Sequence, residues 1–252
     1  MILTRMGNKR AIAARIQSYF PEHDLYLEPF FGAGGMFFSK PKVKYNVVND
    51  ADEEVYNLFH VVQHQLAELE AFWRMAPQHD KLFQHWKTHS ETDPVLKAAR
   101  FLYLSNYGFM GRPTSMKMGI DNTKFTTYNR LPACAQALED VIFASTDFRK
   151  FFKQFALPAR LTRAFCYADP PYLDTDNTYA GGKRSTWTKQ DLVDLLDALE
   201  SRQIPFAMSE FDHPFVLAEA SRRGLFVHEI GERRNLSNRR MEILLTNYEK
   251  RE

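Results

Sequence analysis

The run Cys166 to Tyr172, CYADPPY, places an acid before two prolines and an aromatic. Each proline lacks a backbone N–H and pushes its predecessor towards extended geometry, so the run reads as a stiff loop. The apolar AFCYA leading into it reads as a strand. Asp169 then stands just past a strand's carboxyl end, the edge at which open α/β sheets bind ligands. Its carboxylate and the carbonyl of Pro170 are adjacent acceptors. Two such acceptors can each take one N–H of an exocyclic amine on a planar base, hold the nitrogen towards tetrahedral geometry and free its lone pair for an electrophile. Pro171 fixes both acceptors before any reaction. Tyr172 offers a ring for the base, a contact worth about 1–3 kcal/mol in single-strand binders.

A second constellation lies upstream. EPFFGAGG, Glu28 to Gly35, carries Gly32 and Gly34, which let backbone approach a ligand closely. The third glycine of a dinucleotide fingerprint would fall at Phe37, whose bulk opposes pyrophosphate packing. Asp50 ends the next strand-type run, KYNVVND, at the separation where an acid reaches ribose hydroxyls. A nucleoside without a diphosphate fits this pair best, although the glycines alone suit a purely structural turn equally well. His60 and His64 are one helical turn apart but lack a third ligand at a useful spacing, so no metal is expected. Cys134 and Cys166 show neither metal-ligand spacing nor the neighbours of a nucleophile.

These residues need a sheet to bring them together. Strand-type runs occur at LYLEPF, KYNVVND, VIFAS, AFCYA, PFAMS, LFVHEI and MEILLTNY. Helical spacing appears in NKRAIAARIQSYFP, in the stretch from about Glu53 to Ser105, and in TKQDLVDLLDALESR, where Thr188 is placed to cap. Strands alternating with helices imply a mostly parallel sheet. Tyr107 to Arg130 shows no sustained period and reads as a loop or hairpin. The aromatics Phe72, Trp73, Phe83 and Trp86 suit the packing of a helical insertion. Lys and Arg total 33 against 31 Asp and Glu, a net charge of +2 that neither demands nor excludes a nucleic-acid partner. No apolar run approaches the roughly 20 residues of a membrane span, and nothing like a signal peptide follows MILTRMGNKR, so a cytoplasmic protein is expected.

The DPPY run, with YLEPFFGAGGMFF upstream and GNK near the start, resembles the Dam family of S-adenosylmethionine-dependent DNA adenine N6-methyltransferases, in the alpha-group order. FLYLSNYGFMG and IPFAMSEFDHPF are similar to further segments of that family. The resemblance implies a methyltransferase-type, Rossmann-like α/β fold whose mostly parallel sheet carries an inserted helical and β-hairpin DNA-recognition region. Residues 1–52 and 141–252 would form the catalytic domain and 53–140 the target-recognition insertion.

By the same resemblance, Lys9, Glu28, Phe30, Gly32, Gly34 and Asp50 would hold the methyl donor, with Phe148 against its adenine and Asp147 as a weaker contact. Asp169, Pro170 and Tyr172 match the target-base site. Double-stranded DNA is the implied partner, its adenine flipped out of the stack with a side chain filling the gap. Phe109 matches that wedge, followed by Met110, Arg112 and Lys117. Relatives that recognise GATC read N-G-x-x-R after the wedge, whereas this chain has Met110 for the asparagine and Thr114 for the arginine. GATC is thus one target among others, with Arg112 an alternative guanine reader. Arg5 and Met6 stand where relatives carry an aromatic. The basic run ERRNLSNRR supplies Arg233, Arg234, Arg239 and Arg240 as phosphate contacts between the last two strands. The rival readings are an inactive DNA-binding relative and a methyltransferase acting on RNA or on cytosine N4.

Overall fold

The computed structural model describes residues 1–4, 7–117, 119, 121–157, 163–175, 187–234 and 239–250. After the short helix α1 (Ala13–Gln17), strands β1 (Leu25–Glu28) and β2 (Tyr45–Asn49) flank the glycine turn. Five helices follow before the next strand: α2 (Glu53–His64), α3 (Leu66–Met75), α4 (Asp80–Thr88), α5 (Pro94–Tyr107) and α6 (Thr123–Leu138). The chain continues through β3 (Ile142–Ala144), α7 (Phe148–Gln154), β4 (Ala164–Ala168), α8 (Lys189–Ser201), β5 (Phe206–Phe211) and α9 (Pro214–Arg223). It ends in β6 (Phe226–Arg234) and β7 (Arg239–Thr246).

One seven-stranded sheet results, in the order β3-β2-β1-β4-β5-β7-β6. Neighbours from β3 to β5 pair in parallel, and β7 enters antiparallel between β5 and β6. The inner strands β1, β4 and β5 are buried along their whole length, which is why they are apolar on both faces. Alternation sorts their residues: Tyr26, Val48, Phe165, Tyr167 and Leu244 pack with α1 and the inserted helices, whereas Leu27, Cys166, Met208, Ile243 and Leu245 pack with α7, α8 and α9. No helix among the described residues is long and apolar enough to cross a membrane.

The helices start where local chemistry allows. Asp52, Asp93 and Thr188 cap α2, α5 and α8, and Thr188 completes a capping box with Asp191. In the insertion, Trp73, Phe83, Trp86 and Tyr103 are buried, with Trp86 and Tyr103 meeting edge-on at 5.2 Å. This is the packing role expected of Phe72, Trp73, Phe83 and Trp86, with Phe72 half-buried and its ring 5.9 Å from that of Trp86.

Two local expectations change. The stretch read as aperiodic ends at Asn122, because α6 begins at Thr123. Its β-branched threonines and internal Pro132 obscure the helical period, but tertiary packing of Thr127, Leu131, Cys134 and Leu138 supplies what propensity lacks. The arginines of the last hairpin lie within strands, with Arg233 opposite Arg240 and Arg234 opposite Arg239. A ladder that runs past the apolar pattern, as far as Arg234 on β6 and from Arg239 on β7, places them there. Between α5 and α6, a single antiparallel bridge, Gly108 to Met116, closes a short turn around Phe109. Phe109 N–H donates to Ser115 O at 2.9 Å, and Lys117 N–H donates to Tyr107 O at 2.8 Å.

Candidate active site

The sheet order reverses between β1 and β4, since the chain leaves β1 towards β2 and returns on the other side at β4. Such a switch point opens a crevice at the carboxyl ends of the two strands. The glycine turn follows β1 and the Asp169 loop follows β4.

Gly32 and Gly34 both have left-handed backbone, with φ of 55° and 69°. A side chain at Gly34 would collide with Phe38 and Phe31, at 2.4 and 2.7 Å from its first carbon. At Gly32 the same carbon would meet nothing within 4 Å, so this face of the turn is open to a ligand. Gly35, which carried no expectation, approaches the N-terminal segment: its added carbon would lie 3.0 Å from Lys9 N. Asp50 braces the turn by accepting from Gly32 N–H at 2.6 Å and from Asp52 N–H at 2.9 Å. Asn49, buried at the end of β2, donates to Pro29 O and Thr146 O, both at 3.0 Å, and ties the loop after β1 to the loop after β3.

Lys9 does not point away along the crevice. It is 3% exposed, and its ammonium lies 2.6 Å from Asp169 Oδ1 and 3.4 Å from Glu242 Oε1. It sits 4.7 Å from the centre of the Tyr172 ring and donates to Gly7 O at 3.3 Å. Tyr172 is buried, its hydroxyl donating to Glu242 Oε1 at 2.9 Å and its ring meeting Phe211 edge-on at 4.7 Å. Burial, reinforced by the charges of Asp169 and Glu242, raises the Tyr172 hydroxyl far above its usual range. Pro170 is buried beside it.

Further acids line this edge. Glu210, fully buried on β5, accepts from Leu173 N–H at 2.8 Å and from Phe211 N–H at 2.6 Å, fixing the backbone that follows the prolines. Burial pushes its carboxyl up to about 8 despite those hydrogen bonds. Glu28 accepts from Tyr26 OH at 2.8 Å, and burial, helped by the charges of Asp169 and Asp50, pushes it up to about 8 as well.

On the other side of the glycine turn, Phe30, Phe148 and Trp187 form a triangle with ring centres 5.6 to 5.8 Å apart. Phe148 is 4% exposed, with the Arg149 guanidinium 4.3 Å above its ring, so Phe30 is the more accessible face of this cluster. Asp147 caps α7, accepting from Arg149 N–H at 2.9 Å.

The expected recognition residues gather at the end of α5. Phe109 is 55% exposed, a large apolar ring left facing solvent. Arg112 is half-buried beside it. Lys117 donates from Nζ to Asn106 O at 2.9 Å, so its ammonium braces the turn. Met110 lies in the turn's short 3-10 segment. Asn106 and Ser105 clasp the N-terminal segment: Asn106 Oδ1 accepts from Thr4 N–H at 2.8 Å, Asn106 Nδ2 donates to Ile2 O at 2.9 Å, and Ser105 OH donates to Thr4 O at 2.6 Å. Arg5 and Met6 lie outside the described residues. Arg240 reaches back to the loop after β4, donating to Leu173 O at 3.3 Å, while Arg233, Arg234 and Arg239 are located by their strand positions.

His60 and His64 lie on one helix face with ring centres 4.5 Å apart and tilted by 57°, and no group of three or more metal-ligating side chains occurs among the described residues. Both cysteines are free and buried. Sequence reasoning missed Glu210, Glu242, Asn49 and Trp187. A usable signal existed for Glu242, an acid inside the apolar strand run MEILLTNY, where an uncompensated charge would be costly.

The family model for D12 class N6 adenine-specific DNA methyltransferase matches residues 6–239. The chain is 27% identical over 221 residues to a DNA adenine methylase of Salmonella typhi, covering 82% of this chain and 78% of that one. It is 25% identical over 247 residues to the DNA adenine methylase of Escherichia coli strain K12, covering 92% and 87%. The modification methylase StsI of Streptococcus sanguinis is 24% identical over 279 residues, spanning 98% of this chain and 42% of that longer protein.

Proposed function

The chain belongs to the D12 class N6 adenine-specific DNA methyltransferase family, and from that premise we propose that its carboxyl sheet edge moves a methyl group from S-adenosylmethionine to N6 of an adenine held at Asp169. The observation that carries this reading is the convergence of the Asp169 loop and the open glycine turn on the β1/β4 switch point. The residues present suit the donor: Gly32 leaves space, Asp50 stands beside it, Phe30 offers a ring, and the surrounding acids outnumber the Lys9 cation. When bound, S-adenosylmethionine supplies an electrophilic methyl and departs as a neutral thioether.

The protein's own part is orientation. Asp169 and the Pro170 carbonyl accept the two amine hydrogens and aim the nitrogen lone pair. As the N6–CH3 bond forms and the S–CH3 bond breaks, positive charge passes to the amine, where the Asp169 carboxylate stabilises it. One N6 proton then passes to solvent water, leaving the neutral methylamine. Lys9 fixes Oδ1 of Asp169 and thereby sets the plane of that carboxylate.

The helices α2 to α6 and the Phe109 turn, residues 53–140, form the target-recognition part, and residues 1–52 with 141–252 the catalytic part. Phe109 enters duplex DNA as the wedge that replaces the flipped base, Arg112 reads a base edge, and the arginines of the β6/β7 hairpin hold phosphates. The bacterial relatives support a cytoplasmic setting.

The test is incubation with labelled S-adenosylmethionine and unmethylated genomic DNA, followed by mapping of the modified bases, with Asp169→Ala alongside. N6-methyladenine within one short motif, lost in Asp169→Ala while donor binding survives, is expected. The motif found decides between GATC and another target. Substantial turnover by Asp169→Ala refutes the role of that residue, and label on RNA or on cytosine N4 refutes the substrate.

A further inference from the structure

We propose that Glu242, on β7, is a positioning residue for methyl transfer: it shares the Lys9 ammonium with Asp169 and so keeps Asp169 a strong acceptor for the adenine amine. This rests on the assignment of Asp169 to that amine.

Glu242 is fully buried in a strand whose following residues, Ile243, Leu244 and Leu245, are all core. A carboxylate in such a place is costly unless it is paired. Its pairing is directed at the active site: Oε1 accepts from Tyr172 OH at 2.9 Å and lies 3.4 Å from Lys9 Nζ. The Lys9 ammonium stands between two acids from strands on either side of β5, 2.6 Å from Asp169 and 3.4 Å from Glu242.

The shorter distance makes Asp169 the principal partner, and the second acid keeps that pair from being electrically closed. With Glu242 uncharged, Lys9 and Asp169 would form a neutral pair and the carboxylate would accept an amine hydrogen less strongly. Tyr172 and Phe211 fix the arrangement. Phe211 sits opposite Glu242 in the β5/β7 register, and its ring meets Tyr172 edge-on, so Tyr172 is held by its hydroxyl and by its ring.

The experiment compares wild type, Glu242→Gln, Lys9→Met and the double variant in single-turnover methylation of a duplex bearing the mapped motif. Donor and DNA affinities and thermal midpoints are measured for each, and Asp169→Ala serves as the inactive reference. Glu242→Gln keeps an oxygen for the Tyr172 hydroxyl and loses only the charge. The expected result is a transfer rate lowered about 10-fold or more, with both affinities within about 3-fold of wild type. The double variant should be no slower than Lys9→Met, because Glu242 acts through Lys9.

A Glu242→Gln rate within about 2-fold of wild type, or losses that multiply in the double variant, overturns the proposal. Should Lys9→Met fail to fold, Glu242→Asp decides. A rate between those of wild type and Glu242→Gln supports the charge, and a rate at or below that of Glu242→Gln overturns it. Absence of methylation by the wild-type protein would instead refute the reading of the site itself.

Discussion

Replacing Lys9 by methionine removes a buried ammonium while keeping most of its volume. In the native arrangement that ammonium is 2.6 Å from Asp169 Oδ1 and 3.4 Å from Glu242 Oε1, with only 3% of the residue exposed. Breaking a buried ion pair by deleting one partner costs about 3–5 kcal/mol, because the charge left behind is neither solvated nor compensated. For a chain of this size each kcal/mol lowers the melting temperature by about 2–4 °C, so the expected drop is about 6–20 °C. Differential scanning calorimetry without donor reads it directly. The cause is separable from lost packing: Lys9→Met combined with Asp169→Asn and Glu242→Gln leaves uncharged groups at all three positions and should regain at least half of the lost stability. A drop below about 2 °C in the single variant, or no recovery in the triple, would refute the electrostatic account of this network.

Two further outcomes follow from geometry and charge. A methyl group at Gly108 would stand 2.2 Å from Arg112 O and 2.4 Å from Leu104 O, both backbone atoms. Gly108→Ala should therefore displace the Phe109 turn, weakening DNA binding in a gel-shift assay by about 10-fold or more while donor binding stays near wild type. Glu28 and Glu210 are both raised from a usual 4.5 to about 8, chiefly by burial. A raised acid binds more protons folded than unfolded, so its contribution is complete below about pH 4.5 and is lost as pH rises to about 8. The urea midpoint of the protein alone should fall across that window, and Glu28→Gln should flatten the fall. Asp191, Asp194 and Glu219, lowered by hydrogen bonds that include partner arginines, act oppositely and lose their contribution only as pH drops below the ordinary carboxylate range.

The sheet was legible because its inner strands are buried on both faces and therefore spell short apolar runs, each broken by a glycine turn, a capping residue or the prolines after Asp169. Thr188 could be read as a cap for the same reason, since its chemistry is local. What escaped was set by distant partners. Thr123 to Arg130 looks irregular in isolation and becomes helical when Thr127 and Leu131 pack against the other inserted helices. The arginines at 233, 234, 239 and 240 read as a loop because polarity does not reveal a ladder extended by its partner strand. Lys9 was identified from its motif, but its contact with Asp169 spans 160 residues of chain and has no local signature. Glu242 left a trace only as an acid in an apolar strand, which signals a paired charge without naming its partner.

Those long-range contacts meet in residues 2 to 9. Ile2 and Thr4 are clasped by Ser105 and Asn106, whose carbonyl also receives Lys117 from the Phe109 turn. Lys9 N lies under Gly35 of the glycine turn, and Lys9 Nζ lies on Asp169. The Phe109 turn and the Asp169 carboxylate thus each bond to the same N-terminal stretch, the turn through Asn106 at Ile2 and Thr4 and the carboxylate at Lys9. A packed core passes shifts on instead of absorbing them. Asn106→Ala keeps the carbonyl that receives Lys117 but removes the side-chain bonds to Ile2 and Thr4, the joint between the Phe109 turn and the N-terminal segment. It should lower the ratio of transfer rates on the correct motif and on a one-base-altered motif, measured at saturating DNA. If that ratio stays at the wild-type value while the rate on both duplexes falls equally, Asn106 serves stability alone and the N-terminal segment does not link recognition to transfer.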